Sequence, residues 1–142
     1  TGQYPAAAAG REQTFLCGSE PNEGPPTLWT GLDASSRLTV CLVPILGGGS
    51  QVWKGPALSP EEPFDVQLAV HTGMGPGGVM WRARQGDPWS SLETSSSRGA
   101  ENTTWPPTQW LVGKDNGQRN EKAFRGKDLN VTWKLIKAKS IR

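Results

Sequence analysis

Phe64-Asp65-Val66-Gln67-Leu68-Ala69-Val70-His71 is the stretch that decides the fold class. Val66, Leu68 and Val70 alternate with Gln67, Ala69 and His71. A period of two turns one set of side chains to a dry face and the other to water. A helix cannot use that pattern, because its faces repeat every three or four residues. The glycine-rich tip Gly73-Met74-Gly75-Pro76-Gly77-Gly78 follows. Then Val79-Met80-Trp81-Arg82-Ala83-Arg84 alternates again, with Val79, Trp81 and Ala83 inward and Arg82 and Arg84 outward. Two alternating runs joined by a turn-forming tip predict an antiparallel hairpin.

The same rhythm extends in both directions. Upstream lie the short apolar runs Thr14–Cys17, Leu28–Leu32, Leu38–Val43 and Gln51–Lys54, the last ended by Gly55-Pro56. Leu38, Val40 and Leu42 point one way and Thr39, Cys41 and Val43 the other, which predicts a central strand covered on both faces. Downstream, Gln85 to Pro107 is Ser-rich and aperiodic, so it is either a functional loop or holds one irregular strand. Gln109–Gly113 reads as a strand. The closing run has Leu129, Val131, Trp133 and Leu135 inward, with Asn130, Thr132 and Lys134 outward. With 18 Gly and 12 Pro in 142 residues, the punctuation suits many short strands and no helix of consequence. The expected fold is all-β, a two-sheet antiparallel sandwich of about a dozen strands in one domain over 14–142. Residues 1–13 are expected to be flexible or docking, since Ala6-Ala7-Ala8-Ala9 is too small to anchor a core.

Hydrophobic residues make up only 35%, but the chain carries 7 Trp, and indole rings supply the buried area that a thin aliphatic set lacks. That aromatic content argues against disorder. No run approaches the roughly eighteen apolar residues that span a bilayer, so no membrane span is expected. The start at Thr1, without Met or a signal-peptide pattern, fits a mature chain whose leader has been removed, or a trimmed one. Cys17 and Cys41 lie in apolar runs and are expected to form one disulfide in an oxidising compartment, or two buried thiols in the cytosol. The sequons Asn102-Thr103-Thr104 and Asn130-Val131-Thr132 lean the same way, toward a secreted, extracellular glycoprotein. From Lys114 onward nine Lys or Arg face three Asp or Glu, against six and ten before it. Such a split marks an anionic partner or a solvated face.

The order of pieces from Leu32 to Ile141 resembles the concanavalin A-like lectin and laminin-G jelly-roll families. The resemblance is carried by Phe64–Val70 with its following hairpin, by Trp110-Leu111-Val112-Gly113, by Ala123-Phe124-Arg125-Gly126-Lys127-Asp128-Leu129-Asn130-Val131, and by the tail Lys137-Ala138-Lys139-Ser140-Ile141. It implies a jelly-roll sandwich and suggests sugar as ligand. The departures concern catalysis. Glycosidases of this architecture carry three spaced carboxylates on one strand, whereas Glu61, Glu62 and Asp65 here fall in a turn with two prolines. The lyases use Gln, His and a strand Tyr, whereas the one tyrosine here is Tyr4.

Candidate chemistry then falls into few places. His71, the sole histidine, shares a face with Gln67 and with Arg82 or Arg84, either as a polar groove or as an ordinary outward histidine. Two Cys and one His do not make zinc spacing. Calcium has Asp33, Asp115 and Asn116 as loop oxygens, although Asp-Asn-Gly is also a plain turn. The Gly73–Gly78 tip is no phosphate loop, because a strand follows it where a helix is needed. Trp81, Trp110 and Trp133 are in phase with inner faces. Trp89 and Trp105, each beside proline, and Trp53, on a short exposed-looking strand, either stack on a pyranose face or staple the chain. Asp87, Arg82 and Asn102 stand near them in sequence. Lys134, Lys137, Lys139 and Arg142 form a stripe suited to acidic polysaccharide. Nucleic acid is disfavoured, since aromatics do not interleave on the exposed face. Three functions follow in order: a secreted glycan-binding module, an assembly subunit polymerising through its N-terminal segment, and a polysaccharide-acting enzyme using His71, Gln67 and Arg82. Catalysis is thus the least favoured.

Overall fold

Alternation in the Phe64–Arg84 hairpin becomes pairing in the structure, a computed structural model that describes residues 1–19, 28–42, 51–71, 77–86, 93–97, 109–114 and 122–134. Eight strands are formed there: β1 Gln13–Ser19, β2 Leu28–Leu32, β3 Arg37–Leu42, β4 Gln51–Ala57, β5 Asp65–His71, β6 Gly77–Arg84, β7 Glu93–Ser97 and β8 Gln109–Val112. They make a five-stranded sheet in the order β4-β3-β2-β1-β8 and a three-stranded sheet β5-β6-β7, all antiparallel. The one helical element described is a 3-10 turn at Ala6–Ala8. β7 falls inside the aperiodic Ser-rich stretch, as its irregular-strand reading expected.

Two core clusters join the sheets. Leu32, Leu38 and Phe15 from the large sheet meet Ala83 from the small one, with Tyr4, Ala8, Leu58 and Phe64, and Val66 packs against them. Leu28, Val40 and Trp53 form the second cluster, with Leu68, Trp81 and Trp110 laid on it. Gln67 and Ala69 are exposed and alternate with the half-buried Val66 and Leu68, so the period of two holds here. The sandwich therefore has two ends. At one, Leu32 pairs Leu38 across the Asp33 turn, and Asp65 pairs Arg84. At the other, Gly18, Leu28, Leu42 and Gln51 lie in one row, and Gly18 also pairs Trp110. We call these the Asp33 end and the Trp110 end.

Phe15 is the extra residue of a bulge: Thr14 pairs Gly31, but Leu16 already pairs Thr30. A bulge re-aims a side chain, and Phe15 stacks with Phe64 at 5.2 Å and Phe124 at 5.8 Å, which brings together all 3 Phe of the chain. A Cβ at Gly31 would collide with the Gln13 carbonyl, so this close approach needs glycine. β4 does not stop at Gly55 but continues through Pro56. It is a sheet edge, where the missing N–H of proline breaks no ladder bond.

Three expectations change. Cys17 and Cys41 are not joined by a disulfide. They pair with Trp29 from opposite sides, so two strand spacings of about 4.8 Å separate them. That is about 9.6 Å, beyond the roughly 7 Å a disulfide spans between Cα atoms. Residues 128–134 form no ladder: Leu129 and Val131 are half-buried, whereas Trp133 is exposed, and Leu135 lies outside the described residues.

The third concerns the N-terminal segment, which is docked, and on its own chain. Gly2 exchanges hydrogen bonds with Phe64, Gln3 with Lys127 and Thr1 with Asn130. Tyr4 is 1% exposed and its hydroxyl donates to the Leu58 carbonyl. Alanine cannot anchor this segment, but the tyrosine beside it does. Pro5 lacks an N–H and ends the strand-like pairing after Tyr4. Bonds that an assembly segment would offer a neighbour are thus used within the chain.

Inside the core, Thr30 Oγ1 is buried without a hydrogen-bond partner. Val has nearly the same shape and no polar atom to desolvate, so Thr30→Val is expected to stabilise the fold by about 1 kcal/mol. A higher urea midpoint at unchanged slope would show it; a lower midpoint would mean that the hydroxyl is bonded after all.

Candidate functional site

The outer face of the β5–β6 hairpin carries a ladder of polar pairs. Arg82 Nε donates to Gln67 Oε1 at 2.6 Å, and Arg84 Nε donates to Asp65 Oδ2 at 2.8 Å. Both arise because directly opposed residues on antiparallel strands put their side chains on the same side. The next row is apolar, Ala69 opposite Met80, and both are exposed. His71 stands one row further on, opposite Gly78. At about 3.3 Å per residue, it is roughly 13 Å along the strand from Gln67. Gln67 and Arg82 share a face, as expected, and the His71 side chain lies outside the described side chains. Tyr4, the only tyrosine, is in the core.

The tryptophans sort differently from their sequence reading. Trp53 is 6% exposed and belongs to the second core cluster. Its register opposite Val40 turns it inward, while Val52 and Lys54 on either side are exposed. Its ring packs in the core and is not presented for stacking on a sugar. Trp29, on the other face of the large sheet, is held by its indole Nε1 donating to Thr14 Oγ1 at 2.8 Å, with Lys122 Nζ 5.6 Å above its ring. Trp110 lies against the second cluster, as expected of an inner residue.

Trp133 is the exception, 45% exposed and stacked on Trp110 with ring centroids 5.7 Å apart and planes tilted by 36°. Thr132 and Lys134, its neighbours, are exposed. Alternation missed it because, among the described residues, 129–134 has a backbone bond only at Asn130 and belongs to no strand, so the inward phase is not enforced by a ladder. Trp89, Trp105, Asp87 and Asn102 lie outside the described residues. The strand termini flanking Trp105, Ser97 and Gln109, are both at the Trp110 end, whereas Arg84, before Trp89, is at the Asp33 end. Asn130 is exposed, as its sequon requires.

Asp33 is engaged as a turn residue. Its Oδ1 accepts from the backbone N–H of Ser35 at 2.8 Å and of Arg37 at 3.0 Å, and its Oδ2 pairs with Lys54 Nζ at 2.7 Å. Asp115 and Asn116, its expected partners for calcium, lie outside the described residues. Among the described residues no group of three or more His, Cys, Asp or Glu comes together. Burial pushes the Asp33 carboxyl up, but Lys54 and the two backbone N–H groups outweigh it and hold it below its ordinary value. A depressed carboxyl contributes stability that is complete above the unfolded value of about 3.9 and is lost as pH falls through the lower folded value. Asp33→Asn keeps the turn acceptor and loses the charge. The variant is expected to be less stable than the parent by about 0.5 kcal/mol at neutral pH, with the gap closing at acid pH. Thermal melts of both proteins from neutral to acid pH would check this; a gap that widens on acidification would contradict it.

Among the described residues no helix is long and apolar enough to cross a membrane. No protein-family model, no curated protein and no solved structure matches this chain.

Proposed function

We propose that the chain is a glycan-binding β-sandwich module whose sugar platform is Trp133, backed by Trp110. The observation that carries this reading is the tryptophan pair. A large indole left nearly half in water and packed at a 36° tilt on a second ring offers an accessible aromatic face. Such a surface suits the apolar face of a pyranose, while polar side chains beside it bond the hydroxyls. Its position also fits, since β1–β2, β3–β4, β5–β6 and β7–β8 are all connected from the Trp110 end, and loops gathered on a rigid sandwich are where binding sites form.

A secreted, glycosylated setting suits this reading through the exposed Asn130 sequon. The unbridged cysteines do not add to it. The jelly-roll frame of concanavalin A-like lectins belongs to the proposal only as a two-sheet sandwich with a sugar ligand, because β1 to β4 here run as a meander within one sheet.

A glycan array probed with the parent, Trp133→Phe and Trp133→Ala tests it. Binding is expected to fall about tenfold in the alanine variant and to survive largely in the phenylalanine variant, as ring stacking requires. If no glycan is bound, or if Trp133→Ala binds as the parent does while keeping its β-sheet circular-dichroism spectrum, the proposal fails.

A further inference from the structure

We infer that the sheet containing β5 takes up a strand of another polypeptide, an extended peptide apolar at every second residue, in the slot that continues the line of Thr1–Gln3. The inference does not rest on the glycan reading. Residues 1–3 lie between two flanks and bond to each in turn. Gly2 exchanges backbone bonds with Phe64 at 3.2 and 2.8 Å. Gln3 does so with Lys127 at 3.1 and 2.8 Å, and Thr1 with Asn130, both at 2.9 Å. Such alternation belongs to a strand inside a sheet, here with Phe64 and β5 on one side and 127–130 on the other.

Past Thr1 both flanks go on. Phe64 turns its N–H and C=O to Gly2, and along an antiparallel ladder every second residue turns them the same way. Val66 and Leu68 therefore point theirs away from β6, to the side where Gly2 lies. On the second flank Thr132 shares the phase of Asn130, and Val131 is half-buried between these two exposed residues, as extended chain requires. Among the described residues no backbone group bonds Val66 or Leu68 on that side, or Thr132. Edges are commonly blocked by lysine, proline or a bulge. β4 carries Lys54 and Pro56, whereas Asp65–His71 carries neither and pairs with β6 through seven rows without a bulge. Each flank is antiparallel to residues 1–3, so the two run the same way and one antiparallel strand satisfies both. It would bond Val66, Thr132 and Leu68 in succession, the augmentation by which sheet edges capture peptides. Val66 and Leu68 pack on the core clusters, so the residues opposite them face inward and are apolar; the one opposite the exposed Thr132 is polar.

A tethered strand tests the slot on the full chain. Thr-Val-Thr-Val added before Thr1 sets its valines opposite Val66 and Leu68. Val-Thr-Val-Thr shifts the phase by one residue, and Gly-Ser-Gly-Ser is the blank. Amide hydrogen exchange at Val66, Leu68 and Thr132, read by NMR, is expected to slow about tenfold in the first variant alone. The free peptide acetyl-Thr-Val-Thr-Val-amide, at about 1 mM, should shift the same three amides of the parent but not of the tethered variant. Thr132→Pro removes an exposed N–H outside every described ladder, so it should weaken the peptide about fivefold and leave the circular-dichroism spectrum unchanged. Equal exchange in all three extended chains, or protection indifferent to phase, would overturn the slot. Protection by the tether without any response to the free peptide would restrict the slot to a covalently attached strand and overturn the partner. Shifts confined to amides outside these flanks would place the peptide elsewhere and overturn the inference as well.

Discussion

Tyr4→Ala is expected to lower the stability of the domain by about 3–5 kcal/mol, a core-sized loss from a residue near the start of the chain. The ring lies in the first core cluster among Phe15, Leu58 and Phe64, and it is as fully buried as Leu38. Its removal leaves a cavity between the two layers and strands the Leu58 carbonyl that its hydroxyl bonds. Native domains hold about 5–15 kcal/mol in all, so the variant would sit near the threshold of folding at body temperature. Tyr4→Phe separates the two contributions. It keeps the ring and drops the hydroxyl, so about 1 kcal/mol should be lost. Urea denaturation gives both values, provided that the slopes agree with the parent's. If Tyr4→Ala falls within about 0.5 kcal/mol of the parent, the segment contributes nothing to the core and its docking is incidental.

The contrast between Tyr4 and the β5–β6 hairpin shows what the sequence could and could not reveal. Val66, Leu68, Trp81 and Ala83 were legible because a strand paired over seven rows must keep its phase, and a slip by one residue would invert every side chain. The two-layer, all-β architecture followed from that phase and from the spacing of glycine and proline. Tyr4 was illegible because its hydrogen-bond partner Leu58 is 54 residues away and its neighbours are alanines with no periodicity. Pro56 read as a terminator because nothing local says that β4 is an edge, where proline is harmless. Cys17 and Cys41 read as a bridge because their separation is decided by which strand lies between them, and the strand order is a property of the whole sheet. For the site, residue type was legible but direction was not. Trp53 turned inward through its register with Val40, and Trp133 turned outward because no ladder holds its segment in phase. The Gln67–Arg82 pair was foreseen as a shared face, and the register supplied the contact.

Gly126→Ala should produce the second large effect, through backbone instead of side chain. Gly126 has no positive φ to protect, so its requirement is space. A Cβ there would collide with the Gln3 carbonyl, the same oxygen that accepts from Lys127 N at 2.8 Å, and would crowd the Phe124 ring. A carbonyl fixed by a hydrogen bond cannot swing aside as a flexible side chain would, so either the bridge to Lys127 breaks or the N-terminal segment shifts. A cost of about 3 kcal/mol is expected, at the upper range of overpacking. Gly10 offers a control. It takes φ +87 with open space around its Cβ position, so Gly10→Ala meets only backbone strain, about 1 kcal/mol. The decisive measurement is the double variant. If Gly126→Ala acts by expelling residues 1–8, Tyr4 has already left its pocket, and adding Tyr4→Ala should cost far less than it does alone. Denaturation midpoints of the two single variants and the double variant supply the coupling. Strict additivity would show that Gly126 and Tyr4 hold the second layer independently. A strong positive coupling would mean that one short segment, set between Phe64 and Lys127, closes the sandwich as a unit.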